Sequence, residues 1–383
     1  MRIGFAWGAW GSGGIASNVV RLSEEFIRRG HSVTYFLFDA SGGRKLLAPH
    51  GVEVHEGRGR ARNSLSAASR YLSRVRPDVI IGAHTHVRSV IEVACRWSDR
   101  RPILLWNFHT DVLRNISGKS PVHRWYLGLL GRHIGRFLFR RTDILVAVSR
   151  GVAESAADWY RLPKNAIQTI YNPVWSPQLA RSAEEPAAHP WLDDSANSPR
   201  VVLAVGRLTE QKDYPTLLEA FFILSKSQPA KLIVLGEGPD RAELGQRVRH
   251  MDLEDRVAFL GHVSNPFAFM SRADLLVLSS AWEGFGNVLV EAMSVGTPVV
   301  STRCPSGPEE ILDGGRYGPL VNVGEPSALA NAMQEVLHEP PPSASLIARA
   351  KDFSVEAIAE KYLDTIQEKL SVGERTRCPD SAS

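Results

Sequence analysis

Short apolar runs punctuate the chain, each closed by a glycine or a polar residue. In the first part they fall at 2–7, 33–38, 78–83, 103–108 and 144–148. They are too short for buried helices and lack strict polar alternation, so they read as strands covered on both faces. The stretches between them carry helical spacing, beginning with 19–29. Strands alternating with helices predict a parallel sheet between helical layers. The rhythm stops at 172–199, where Pro173, Pro177, Pro186, Pro190 and Pro199 sit among small and polar residues. That segment reads as an interdomain linker, part loop and part short helix. The pattern restarts at 201–205, with strands expected at 232–235, 257–260, 275–278 and 299–301. A last helix is expected at about 355–370, and residues 372–383 read as a frayed tail.

Length agrees with two domains, since 383 residues exceed one ordinary core. The expected organisation is one α/β domain at 1–171, the linker 172–199, a second α/β domain at 200–354 and a helix at 355–371. Hydrophobic residues at 44% and charged residues at 22% give a globular balance. No apolar run approaches the roughly 18 residues of a spanning helix. The start lacks the charged and long apolar regions of a signal peptide. Cys95, Cys304 and Cys378 offer neither a disulfide framework nor metal spacing, so a reducing cytoplasmic setting is expected. Charge divides the chain. Residues 1–171 carry 26 Lys/Arg against 12 Asp/Glu, a net +14, and the rest carries 19 against 29, a net −10. The first half therefore meets an acidic partner, or simply wears a basic coat. No nucleic-acid partner is expected.

The densest chemistry lies at 279–300, which reads as strand end, glycine loop, short helix, turn and strand. Glu283 sits in the loop and Glu291, eight residues on, inside the helix. Gly284 and Gly286 allow close backbone approach to a ligand. Asn287 is the expected N-cap, and the free N–H groups of such a helix start suit an anion, phosphate above all. After strand 201–205 come Arg207 and Lys212, which could neutralise a diphosphate or form an ordinary solvated charge pair. Gly236-Glu237-Gly238-Pro239 closes the next strand, and Gly261-His262 the one after, where backbone groups could border a nucleotide. In the first half, Gly13 and Gly14 put N–H groups at a helix start, without the spacing of a dinucleotide fingerprint. His109 ends strand 103–108 and is expected to point into a ligand cleft, with His84 and His86 weaker candidates. No Asp-x-Asp pair occurs, so no metal bridge to a diphosphate is expected. Residues 119–141 are basic and aromatic: Arg132, Arg136 and Arg140 share one helical stripe, and Tyr126, Leu130, Ile134 and Phe137 another. This segment either lies on an anionic bilayer or packs its apolar stripe on the sheet.

Glu283-Gly-Phe-Gly-Asn-Val-Leu-Val-Glu291-Ala-Met-Ser-Val-Gly-Thr-Pro resembles the E-x7-E signature of retaining glycosyltransferases of family four. Cys304-Pro305-Ser306-Gly307-Pro308-Glu309-Glu310-Ile311, the 206–213 and 236–239 segments and Gly13-Gly14 match in order and spacing. The likeness covers most of 1–371 and is sharper in the second half. It implies a GT-B fold, two Rossmann-like doubly wound domains facing across a cleft, with acceptor binding in the first and nucleotide-sugar binding in the second. The last helix would cross back to the first domain. The implied activity is transfer of a sugar from a UDP- or GDP-sugar to a glycan or lipid-linked acceptor, with retained configuration, no cofactor and no required metal. The resemblance further implies roles for single residues. Arg207 and Lys212 would hold the donor diphosphate, Glu291 the ribose and Glu283 the sugar. Backbone amides of Phe285, Gly286, Asn287 and Val288 would line sugar and phosphate. Gly13 and Gly14 would close on the diphosphate, and His109 would orient the sugar or the acceptor. Polysaccharide or lipopolysaccharide synthesis at the inner membrane face is the implied setting. The family often has proline where this chain has Gly286, which implies a more flexible loop. A sugar-nucleotide epimerase and a non-catalytic nucleotide-sugar binder are the alternative readings.

Overall fold

The apolar runs become strands that helices cover on both faces. A computed structural model describes residues 1–9, 14–39, 48–57, 59, 61–83, 85–98, 100–112, 132–140, 142–187, 189–192 and 199–375. The chain forms two units, Met1–Pro173 with Val355–Ser383, and Val174–Ser354.

Unit 1 runs β1 (Arg2–Ala9), α1 (Gly14–Arg28), β2 (Ser32–Asp39), β3 (Glu53–Glu56), α2 (Ala61–Val75), β4 (Val79–Gly82), α3 (Thr85–Ala94), β5 (Ile103–Phe108), α4 (Arg132–Phe139), β6 (Ile144–Ala147), α5 (Arg150–Tyr160) and β7 (Gln168–Thr169). Its parallel sheet has the order β3-β2-β1-β4-β5-β6-β7. Every residue of β4 and β6 is buried, as two-sided cover requires. The edge strands β3 and β7 escaped the sequence reading because Glu53-Val54-His55-Glu56 and Gln168-Thr169 hold no apolar run. Short polar edges also resist pairing with other chains.

Unit 2 contains α6 (Pro177–Glu184), β8 (Arg200–Val205), α7 (Tyr214–Ser227), β9 (Ala230–Leu235), α8 (Arg241–His250), β10 (Val257–Gly261), α9 (Phe267–Met270), β11 (Leu275–Leu278), α10 (Asn287–Ser294), β12 (Val299–Thr302), α11 (Pro308–Ile311), β13 (Leu320–Val321), α12 (Pro326–His338) and α13 (Ser343–Lys351). Its strands lie in the order β10-β9-β8-β11-β12-β13. Part of the proline-rich segment packs here. Leu179 of α6 is buried, and Asn265 donates to the Ser182 carbonyl at 2.8 Å. The two-residue strand β13 was too short to read from sequence.

The chain then re-enters unit 1 through α14 (Val355–Arg375). Ile358, Ala359, Tyr362 and Ile366 of α14 join the core built by Phe5, Phe26 and Tyr35. Arg29 fastens the helix by donating to the Glu356 carbonyl at 2.8 Å.

The basic segment is described only from 132, so Tyr126 and Leu130 lie outside the described residues. Within α4 the member of the expected apolar stripe that can be placed, Phe137, does not face inward. Phe137 is 54% exposed, while Phe139 is buried against Phe108 and Tyr160, with ring centroids at 5.0 and 4.6 Å. Gly135 explains the rotation: a Cβ there would come within 2.3 Å of the Tyr160 ring. Positions 135 and 139, one turn apart, therefore face inward and turn Phe137 outward.

Candidate active site

In unit 2 the strand order reverses at β8. The chain moves outward through β9 and β10, then returns to β11 on the other side of β8. Connections diverge at such a switch point and leave a crevice beyond the carboxyl ends. Lys212 follows β8 and Glu283 follows β11, and the two meet there. Lys212 Nζ lies 2.5 Å from Glu283 Oε1, and the Ser280 hydroxyl donates to the same oxygen at 2.7 Å. Their side chains are 17% and 9% exposed, so water screens the pair poorly. The alternative of an ordinary solvated charge pair with Arg207 does not hold for Lys212, which pairs with Glu283. Here it is tethered, its stem lying over Gly206.

Hydrogen bonds cross between the loops and fix this geometry. The Ser279 hydroxyl donates to the Lys212 carbonyl at 2.7 Å, and the Ala281 N–H to the Gln211 carbonyl at 2.8 Å. Gln211 Nε2 donates to the Trp282 carbonyl at 3.0 Å, and Thr302 Oγ1 to the Ser280 carbonyl at 2.6 Å. Asp213 turns left-handed (φ 45°) and caps α7 by accepting from the Thr216 N–H at 3.4 Å, while its other oxygen accepts from the Thr216 hydroxyl at 2.7 Å. Neighbouring acids stay protonated. Burial first, and then the Glu283 charge, raises the Tyr214 phenol above its ordinary range and pushes the Cys304 thiol up to about 12. Sequence reasoning assigned no role to Gln211, Ser279, Ser280 or Thr302. The Ser280-x-x-Glu283 spacing was the one local signal available.

The glycines expected to border a ligand are also packing devices. A Cβ at Gly236 would sit 1.9 Å from the Gly206 carbonyl oxygen, and one at Gly238 2.1 Å from that of Leu208. The Gly236 N–H donates to the Gly261 carbonyl at 2.7 Å and the Leu208 N–H to the Glu237 carbonyl at 2.9 Å, and together these bonds join the ends of β8, β9 and β10. His262 is exposed beside them. Gly286, not Asn287, occupies the cap position of α10; Asn287 is the first helical residue. The reason is backbone shape, because residue 286 has φ 97° and only glycine adopts this freely. Proline, locked near −65°, cannot take it, so Gly286 sets a distinct loop shape rather than a loosened one. Phe285 and Val288 are buried, and the Phe285 ring packs on Phe353 at 5.4 Å. Glu291 is half-buried on α10. Arg207 is exposed and forms no ion pair among the described residues.

The first-half candidates lie in unit 1. Gly14 opens α1, while Gly13 and His84 fall outside the described residues. His86 lies near the start of α3, its ring edge-on to Phe38 at 5.9 Å. His109 follows β5 and lines a small cavity with Trp7, Asn18 and Asn107.

Comparison with known proteins decides the family. The family described as Glycosyltransferase Family 4 matches residues 12–174, and Glycosyl transferases group 1 matches 192–353. A lipopolysaccharide core biosynthesis glycosyltransferase, LpsE of Rhizobium meliloti, is 30% identical over 363 residues, covering 88% of this chain and 99% of the relative. The chain is a family four glycosyltransferase. A diphospho-undecaprenol 4-alpha-N-acetylgalactosaminyltransferase of Campylobacter jejuni is 26% identical to this glycosyltransferase over 211 residues, 55% of each chain. HepE of Anabaena, solved with UDP-glucose, shares the fold with a TM-score of 0.79 at 23% identity, covering 97% of this chain and all of HepE. The glycosyltransferase thus has the GT-B fold of two parallel-sheet domains.

Proposed function

We propose that this glycosyltransferase moves a sugar from a UDP- or GDP-sugar to a glycan or lipid-linked acceptor, with retained anomeric configuration and without metal, in cell-surface polysaccharide synthesis. The observation that carries the reading is the Lys212–Glu283 pair at the β8–β11 switch point, cross-braced by Ser280. Arg207 and Lys212 take the donor diphosphate and stabilise the charge that builds on it as the bond to the sugar breaks. Glu283 takes sugar hydroxyls beside the reacting carbon, and Glu291 the ribose. Amides of Phe285, Gly286, Asn287 and Val288 line sugar and phosphate. Gly236, Gly238, Gly261 and His262 border the nucleotide, Gly13 and Gly14 meet the diphosphate, and His109 orients sugar or acceptor.

Retention follows a same-face path. The anomeric carbon–oxygen bond to the diphosphate breaks, the acceptor oxygen bonds on that face, and its proton passes to the departing phosphate oxygen. A covalent detour through Glu283 is disfavoured, because Lys212 and Ser280 already hold its carboxylate. The names of LpsE and the Campylobacter jejuni transferase support a lipid-linked or lipopolysaccharide-core acceptor. The UDP-glucose in HepE supports the donor class. No helix among the described residues is long and apolar enough to cross a membrane. The reading is peripheral attachment at the inner face through 119–141, supported by Phe137 standing exposed on α4.

Incubation with UDP- and GDP-sugars plus membrane lipid extract tests this. Nucleoside diphosphate released only with acceptor, undiminished by a chelator, and an NMR-assigned retained linkage are the expected results. An epimerised donor would instead identify an epimerase, and binding without turnover a non-catalytic binder. Loss of turnover in chelator would overturn the metal-free part.

A further inference from the structure

Residues two apart on a strand share a face, so Asn107 of β5 and His109 just beyond it point the same way. Both line a cavity of about 20 Å³, room for about one water, with Trp7, Asn18 and Tyr362. Asn107 is 8% exposed, and its Nδ2 donates to the Tyr362 hydroxyl at 2.6 Å. Its Oδ1 is buried and has no partner among the described residues. Tyr362 is 2% exposed, and burial holds its phenol well above the ordinary range, so it remains a neutral hydroxyl.

A buried amide with an unpaired oxygen costs stability, and leucine would fill the same volume without that cost. Such a group persists where its placement serves a site. Tyr362 also comes from α14, so a residue late in the chain reaches the strand that carries His109. We propose that Asn107, anchored by Tyr362, is a positioning residue for His109, and that one water in the cavity donates to Asn107 Oδ1 and completes the link. This inference rests on the reading above that His109 orients sugar or acceptor.

The test is a double-mutant cycle. Tyr362→Phe removes only the hydroxyl, and Asn107→Leu removes both polar ends while keeping volume. Each is expected to lower kcat roughly fivefold or more, with donor KM nearly unchanged. Asn107→Leu is expected to melt no lower than the parent. In a His109→Ala background neither change should lower kcat further. Equal losses in both backgrounds would mean a general packing defect and overturn the proposal. A large loss from His109→Ala alone, with Tyr362→Phe at full activity, would overturn the inference and leave the His109 reading standing. If His109→Ala keeps full activity, the His109 reading falls and takes the inference with it.

Discussion

In unit 2 the strand-end loops carry a charged pair and brace it: Lys212 and Glu283 meet at 2.5 Å, and side-chain and main-chain bonds lock the loops after β8, β11 and β12 together. At the end of β5 in unit 1 the Asn18 and Asn107 amides, the Tyr362 phenol and the His109 imidazole line a small cavity, and one amide oxygen has no described partner. Charge needs bracing because desolvated ions are costly unless held by several bonds. An unpaired buried amide oxygen also costs stability, but less than an unpaired buried charge. The contrast is between a braced ion pair in unit 2 and a partly satisfied amide in unit 1.

The comparison can be broken most severely at Lys212. Lys212→Ala leaves the Glu283 carboxylate buried without its cation. Turnover should fall at least tenfold, about 1.4 kcal/mol of barrier. Urea unfolding should show a loss of about 3 kcal/mol. Full turnover would remove Lys212 from the mechanism. A middling effect is expected at Gly307, whose added Cβ would lie 1.9 Å from the Phe285 carbonyl oxygen at φ 96°. Gly307→Ala should cost roughly 1–3 kcal/mol, read as a lower melting temperature. An unchanged melting temperature would mean that the bracing of these loops is slack. The smallest effect of any one residue, about 1 kcal/mol per arginine, concerns the unit 1 surface. Arg132, Arg136 and Arg140 changed to Glu should weaken binding to anionic vesicles and leave neutral vesicles alone. Equal binding by parent and variant would make α4 a packing helix only.

Much of this was legible in the sequence because buried parallel strands announce themselves as apolar runs. Ile103–Phe108 and Leu275–Leu278 fall at their expected bounds. Edge strands β3 and β7 were invisible because they hold no apolar run, and β13 because two residues are too few to read, whereas the edge strand β10 lies where the run at 257–260 put it. Lys212 and Glu283 stood out as charges at strand ends. Their direct bond did not, because they are 71 residues apart and only the β8–β11 adjacency joins them. Asn287 was misplaced by one residue for a local reason: capping preference favours asparagine, but the left-handed backbone at 286 favours glycine more strongly. The Asn107–Tyr362 bond spans 255 residues, and nothing local marks either partner.

The return of the chain through α14 sets a schedule for synthesis. A ribosome releases the first sheet long before Val355, yet the core of that sheet includes Ile358, Ala359, Tyr362 and Ile366. Unit 2, uninterrupted from Val174 to Ser354, is complete first. Nascent unit 1 must wait with an apolar flank uncovered, when chains are most open to chaperones and to aggregation. The last helix is thus a closing stitch: a sheet made early is among the last parts to be sealed.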